Sequence, residues 1–283
     1  MLDYRILTFI KLCELMNYTQ TAEALNMTQP AVTQHIHYLE KEYDHKLFVY
    51  QDKKLSQTQA GKQLEIYARS AYQNQINFQK NLYCPQVKKM KIGATKTIGD
   101  YVLDKMLLSI LDDENVELSV NIENTVSLLS KLKNGEIDLA LIEGFFEKKD
   151  FGFKLMKKEK IVGICSKKHK FAHEQVDIEE IFGERIIVRE DGSGTRAVFS
   201  QMLKEKNYSL DCFSKKTYIS SFELIKKFVA DGKGISFVYE SVANSCEDIA
   251  SFYIEDTYIT HEFNYVYLKD TNADEIIDML MSN

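Results

Sequence analysis

The segment "NMTQPAVTQHIHYLEKEY", Asn26 to Tyr43, restricts the fold more than any other, because Pro30, one of two prolines in the chain, opens an apolar pattern of helical period. A proline fits a helix only in its first turn, where the missing N–H leaves no hydrogen bond unmade. The spacing predicts a helix capped by Thr28, with Ala31, Val32, Ile36, Leu39 and Tyr43 turned inward and Gln29, Thr33, Gln34 and His37 projecting elsewhere. Ahead of it, Tyr4 to Met16 carries Leu7, Ile10 and Leu15 at near-helical spacing. "TQTAEAL", Thr19 to Leu25, reads as a short helix opened by a threonine cap, with Asn26 and Met27 as the turn. Two helices and a turn leading to a polar-faced helix describe a helix-turn-helix, whose second helix enters the major groove with its first residues at the base edges. Glutamine can pair bidentately with adenine, and threonine can contact phosphate or a thymine methyl. Any capped amphipathic helix has a polar face, so the neighbouring residues decide.

Those neighbours are "HKLFVYQDKKLSQTQAGKQL": a short apolar run, a polar turn at Gln51 to Lys54, a second short strand and a new helix capped by Thr58. This is a wing. About sixty consecutive residues, with "AEALNMTQPAVTQHIHYLEKEYDHKLF" followed by "KLSQTQAG", resemble the DNA-binding domain of LysR-type transcriptional regulators. Three departures stand out: Asp44 where the family usually has glycine, Tyr50 where it usually has arginine, and a wing tip without glycine. They imply the usual docking with weaker wing contacts. The candidate DNA-facing residues are Thr28, Gln29, Pro30, Ala31, Thr33, Gln34 and His37 from the helix, and Lys53 and Lys54 from the wing.

A net charge of −6 argues against strong non-specific binding of nucleic acid, but the charge is unevenly placed. Of 36 basic and 42 acidic residues, nine and eight fall in residues 1–84, so this part is net +1 and the remainder net −7. Asp3, Arg5, Lys11 and Glu14 interrupt the opening segment and exclude a signal peptide, and no run of ~18 uncharged apolar residues exists, so a cytoplasmic protein without membrane contact is expected. Five cysteines without a CxxC pair fit reduced, partly buried thiols; neither metal nor cofactor is expected.

From Thr58 to about Tyr83 the pattern is one long helix with a stripe of Leu64, Tyr67, Ala68, Ala71, Phe78 and Leu82, broken by Gln75. A lone helix cannot bury that stripe, and in the family the equivalent helix pairs with that of a second subunit. Pro85 then closes the helix and marks a boundary.

The rest alternates strand and helix: "KMKIGAT" before Ile98 to Leu111, "VELSVNIEN" before Val126 to Leu132, "IDLALIEG", and "RIIVRED" before "TRAVFSQMLKEK". Two units with parallel sheets are expected, with ligands at the carboxyl ends of the strands. Looser resemblance in "NTVSLLSKLKNGEIDLALIEG" and "LIKKFVADGKGISFV" implies a periplasmic-binding-protein-like effector domain with two subdomains, crossover strands near residues 160–163 and 263–267, and a ligand cleft. The expected fold class is α/β: a winged helix-turn-helix over 1–58, a linker and dimerisation helix over 59–85, and an effector-binding domain over 86–283. Its subdomain I covers about 86–161 and 266–283, and subdomain II about 162–265.

Three loops are candidates to line the cleft. "GATKTIGD" offers Thr95, Lys96 and Thr97 at a helix start, a ready anion site. "REDGSGTR" brings Ser193, Gly194 and Thr195 to a second helix start, with Arg196 able to clamp a carboxylate bidentately. Thr125, which opens the third helix, completes the pocket, and Ser220 and Ser221 are alternative lining residues. The SGTR loop is similar to that of the LysR regulators of sulfur assimilation. Each loop alone reads equally well as a capped strand-to-helix turn.

"DGSGTR" and "DGKGIS" lack phosphate-loop spacing, and "KLMKKEKIVGICSKKHK" reads as strands with solvated lysines. His169, His173 and His261 suggest no metal site or nucleophile pair. An enzyme on the two-lobed fold would need convergent catalytic groups that the pattern does not supply, and a solute-binding protein would not carry the first 85 residues. A ligand-responsive regulator is expected, without enzymatic activity, binding double-stranded DNA at a dyad-symmetric promoter site as a dimer or tetramer. RNA polymerase is a further candidate partner.

Overall fold

The computed structural model describes residues 2–51, 54–83 and 87–281; Lys53 at the wing tip, Cys84 and the boundary at Pro85 lie outside them. The head begins with α1 (Tyr4–Leu15), α2 (Tyr18–Ala24) and α3 (Gln29–Glu42), which enclose Phe9, Leu12, Ile36 and Leu39. Thr28 caps α3, its hydroxyl accepting from the Ala31 amide at 3.4 Å, and Pro30 sits in the first turn. The second helix starts earlier than Thr19, because Asn17 caps it: its Oδ1 accepts from the Gln20 amide at 3.0 Å. Tyr43 is not inward. It is 43% exposed, at the point where Asp44 takes φ +52° and turns the chain out of the helix.

β1 (Phe48–Gln51) and β2 (Lys54–Gln57) form the antiparallel wing, and α4 (Gln59–Tyr83) follows. Thr58 fastens this junction, donating to the Lys46 carbonyl at 2.6 Å and accepting from the Gly61 amide at 3.0 Å. A Cβ on Gly61 would stand 2.3 Å from the Leu47 carbonyl oxygen, so the close approach of α4 to β1 requires glycine there. Ala68 is buried in the head core, whereas Tyr67, Phe78 and Leu82 are exposed.

The C-terminal unit runs β3 (Lys88–Thr95), α5 (Lys96–Tyr101), α6 (Leu103–Leu111), β4 (Val116–Glu123), α7 (Thr125–Lys133), β5 (Leu139–Ile142) and β6 (Gly152–Ser166). It continues through β7 (Gln175–Val176), α8 (Ile178–Ile181), β8 (Arg185–Val188), α9 (Gly194–Glu205), β9 (Lys215–Tyr218) and α10 (Phe222–Ala230). It ends with β10 (Ser236–Tyr239), α11 (Glu240–Ala243), β11 (Ile249–Ile254), β12 (Thr260–Tyr267) and α12 (Ala273–Met281). β3 pairs in parallel with β4 and β5, and "LALI" of β5 is buried throughout, as a parallel strand covered on both faces must be.

Instead of two separate parallel sheets, one path of strands, β4-β3-β5-β12-β6-β11-β7, crosses both lobes. β6 and β12 weld it together, antiparallel from Gly152 opposite Tyr267 to Lys160 opposite Thr260, so the crossovers are longer than expected. β8 and β9 form a separate parallel pair. The expected helix from Ile98 to Leu111 is broken at Val102, whose φ −132° and ψ −37° leave helical geometry between α5 and α6. Of the thiols, Cys165 is buried and Cys212 exposed.

Arg69 of α4 ties three parts together. Only 5% exposed, it pairs through Nε with Glu65 at 2.9 Å and through Nη1 with Glu14 of α1 at 3.5 Å. The same Nη1 donates to the Lys133 carbonyl, at the end of α7, at 2.9 Å.

Candidate functional site

At the start of α3, Thr28, Gln29, Pro30 and Gln34 are exposed and Ala31 and Thr33 half-buried. Gln29 Nε2 donates to the Thr33 hydroxyl at 3.0 Å, and that hydroxyl donates back to the Gln29 carbonyl at 3.1 Å, which holds both side chains on one surface. His37 lies one turn on, with its Nδ1 3.3 Å from Glu40 Oε2. Glu40, buried, also takes Lys46 at 2.7 Å and the Leu47 amide at 3.0 Å, and these donors hold its carboxyl below the ordinary value in spite of its burial. The helix is thereby fixed to the wing, where Lys54 is exposed.

The second constellation lies where the lobes meet. Thr97 of α5 and Thr195 of α9, both fully buried, face each other across the lobes with hydroxyls 3.3 Å apart. Lys96 Nζ donates to the Ser220 carbonyl at 2.9 Å. Tyr239 at the end of β10 donates to the Glu143 carbonyl at 3.3 Å. The backbones nearly touch, since a Cβ on Gly194 would stand 3.0 Å from Gly144 Cα.

Other expected residues serve local structure. Thr95 directs its hydroxyl to the Leu141 carbonyl at 3.4 Å rather than capping α5. Ser193 caps α9 and Ser221 caps α10, while Asn124, one residue before Thr125, caps α7. Arg196 pairs with exposed Asp191 at 2.8 Å and lies over the Tyr218 ring at 4.9 Å, within its own lobe.

Three residues of this seam escape the sequence reading. Glu143, 3% exposed, follows β5; burial pushes its carboxyl up to about 7, against the Thr97 hydroxyl and the Arg189 charge, which favour the ionised form. Arg189 follows β8, is 5% exposed, holds Glu190 bidentately at 2.8 and 2.9 Å and lies over the Phe222 ring at 4.2 Å. Tyr239 ends β10. A charged residue directly after a buried strand was the available signal, because ligand sites in open α/β sheets lie at those strand ends.

Comparison with known proteins bears on both constellations. Residues 5–62 match the bacterial regulatory helix-turn-helix protein, lysR family, and residues 86–281 match the LysR substrate binding domain. The chain belongs to the LysR family. Its members are transcriptional regulators with a DNA-binding head and an effector-binding domain, and the named relatives are regulators rather than enzymes. This LysR chain is 28% identical to the HTH-type transcriptional regulator CysL of Bacillus subtilis, over 98% of this chain and 95% of that one. It shares its fold with a Corynebacterium glutamicum OxyR mutant, at TM-score 0.62 and 20% identity, covering 98% of this chain and 89% of that one. The Synechocystis CcmR regulatory domain in complex with 2-PG aligns at TM-score 0.60 and 20% identity, over 69% of this chain and 96% of that one. Among the described residues of this LysR protein no group of His, Cys, Asp and Glu could hold a metal ion, and no helix is long and apolar enough to cross a membrane.

Proposed function

We propose that this LysR-type regulator acts in the cytoplasm at a dyad-symmetric promoter site, bound as a dimer or tetramer, and that a small anionic metabolite held between its lobes sets its response. The observation that carries this reading is the direct meeting of the lobes through buried Thr97 and Thr195, in a chain whose head exposes Gln29 and Gln34. The division into a DNA-binding domain over 1–58, a linker over 59–85 and an effector domain over 86–283 belongs to the same reading. α7 and α9 start at Thr125 and Gly194, and the positive ends of these helices favour an anion; Arg196, whose partner Asp191 is exposed, can exchange it for a ligand carboxylate. The 2-PG complex of the CcmR domain supports an anionic class. The SGTR loop and the relation to CysL favour the sulfur-assimilation branch. RNA polymerase is a candidate partner at the promoter.

Footprinting on the DNA around the protein's own gene tests the reading: a protected dyad-symmetric site is expected. Gln34→Ala should weaken that site by about 1 to 3 kcal/mol and leave random DNA nearly unaffected. Equal losses on both DNAs would remove the base-reading role of α3.

A further inference from the structure

An anion alone leaves one group of the seam unused. Glu143 Oε2 is buried and has no hydrogen-bond partner among the described residues, and neither has the buried Thr125 Oγ1. Both belong to one tightly packed stretch where the two lobes touch. A Cβ on Gly144 would lie 2.6 Å from Thr125 Oγ1, and one on Gly194 would lie 3.5 Å from Glu143 Cγ. A buried carboxylate with an empty accepting position is costly, and folded chains ordinarily pair it or replace it. The nearby buried cation, Arg189, is engaged by Glu190 and Phe222.

We propose that the ligand is a zwitterion of the α-amino acid type, its ammonium group against Glu143 and Thr125 and its carboxylate toward the first turns of α7 and α9. The proposal rests on the reading of the seam as the ligand site and adds the class of ligand. An ammonium group supplies three donors and no acceptor, which suits a carboxylate oxygen and a hydroxyl that both have accepting capacity left. The helices that start at Thr125 and Gly194, nine and twelve residues long, present their positive ends to the opposite charge. As they stand, Gly144 and Gly194 leave no space between the lobes, so a ligand enters only when the lobes move apart. The lobes part to admit it, breaking the contacts of Thr97 with Thr195 and of Lys96 with Ser220.

Calorimetry on the full-length protein tests this. The probes are the twenty L-amino acids, the des-amino acid corresponding to each binder, and a parallel panel of simple carboxylic acids with 2-PG. At least one amino acid is expected to bind, with its des-amino counterpart at least tenfold weaker, and Glu143→Gln should shrink that preference below threefold. The comparison of paired ligands on the wild-type protein decides the question even where the variant fails to fold. Equal binding of the des-amino acid, a preference that survives Glu143→Gln, or binding by the acid panel alone overturns the zwitterion. If neither panel binds to protein that footprints its promoter, the zwitterion and the seam as ligand site both fall, while regulation through the head stands.

Discussion

A carboxyl held up to about 7 binds its proton more tightly in the folded chain than in the unfolded one, where 4.5 is its ordinary value. Glu143 therefore contributes stability below 4.5 that is lost as pH rises through about 7. Glu143→Gln keeps the shape without the charge. It should withstand more urea than the wild type at pH 8, by up to about 3 kcal/mol, and the two should converge near pH 4.5. A gain of equal size at both pH values would place the cost in packing rather than ionisation. Asp44 shows a second cost at this scale. Its φ of +52° is a conformation that glycine adopts freely, and LysR proteins usually have glycine there. Asp44→Gly should stabilise the head by about 1 kcal/mol, read as a higher melting temperature with unchanged DNA affinity.

Among the elements, α3 was legible because cap, proline and apolar period coincide within one turn, and α4 because its apolar stripe resumes beyond Gly61 and Gln75 and no proline interrupts it before Pro85. The break at Val102 was not: valine continues the apolar period, and only the turn between α5 and α6 reveals it. Asn17 displaced Thr19 as a cap because both residues can accept from a backbone amide and only packing chooses between them. In the seam the helix starts at Lys96 and Gly194 could be read, but not which hydroxyls turn into it; Thr95 and Ser193 satisfy neighbours instead. Glu143, Arg189 and Tyr239 come together from strands far apart in sequence, a juxtaposition that no local pattern encodes. The exposed Tyr67, Phe78 and Leu82 of α4 carry a prediction of their own. Glutamate at both Tyr67 and Phe78 should convert dimers to monomers at micromolar concentration in the ultracentrifuge, because a like-charged seam cannot close around buried carboxylates. A variant that sediments unchanged would move the interface elsewhere.

Across the whole molecule, α7 runs from the seam, at Thr125, to the head, where the Lys133 carbonyl at its other end accepts from Arg69. Arg69 also pairs with Glu65 of its own helix and Glu14 of α1, so one nearly buried guanidinium answers to the head, the linker and the effector unit together. Regulators of this build invite engineering by exchange of parts, a head from one protein joined to a sensor from another. In this chain the seam for such grafting does not lie at the end of α4. A transplanted head and α4 would carry Arg69, still paired with Glu65 and Glu14, away from the Lys133 carbonyl and leave one donor of a buried guanidinium without its acceptor, at a cost of about 1 to 3 kcal/mol. Chimeras that keep the end of α7 from this protein should fold and repress or activate as designed. Those cut at residue 86 should melt earlier, and Arg69→Met should restore them more than it harms the parent.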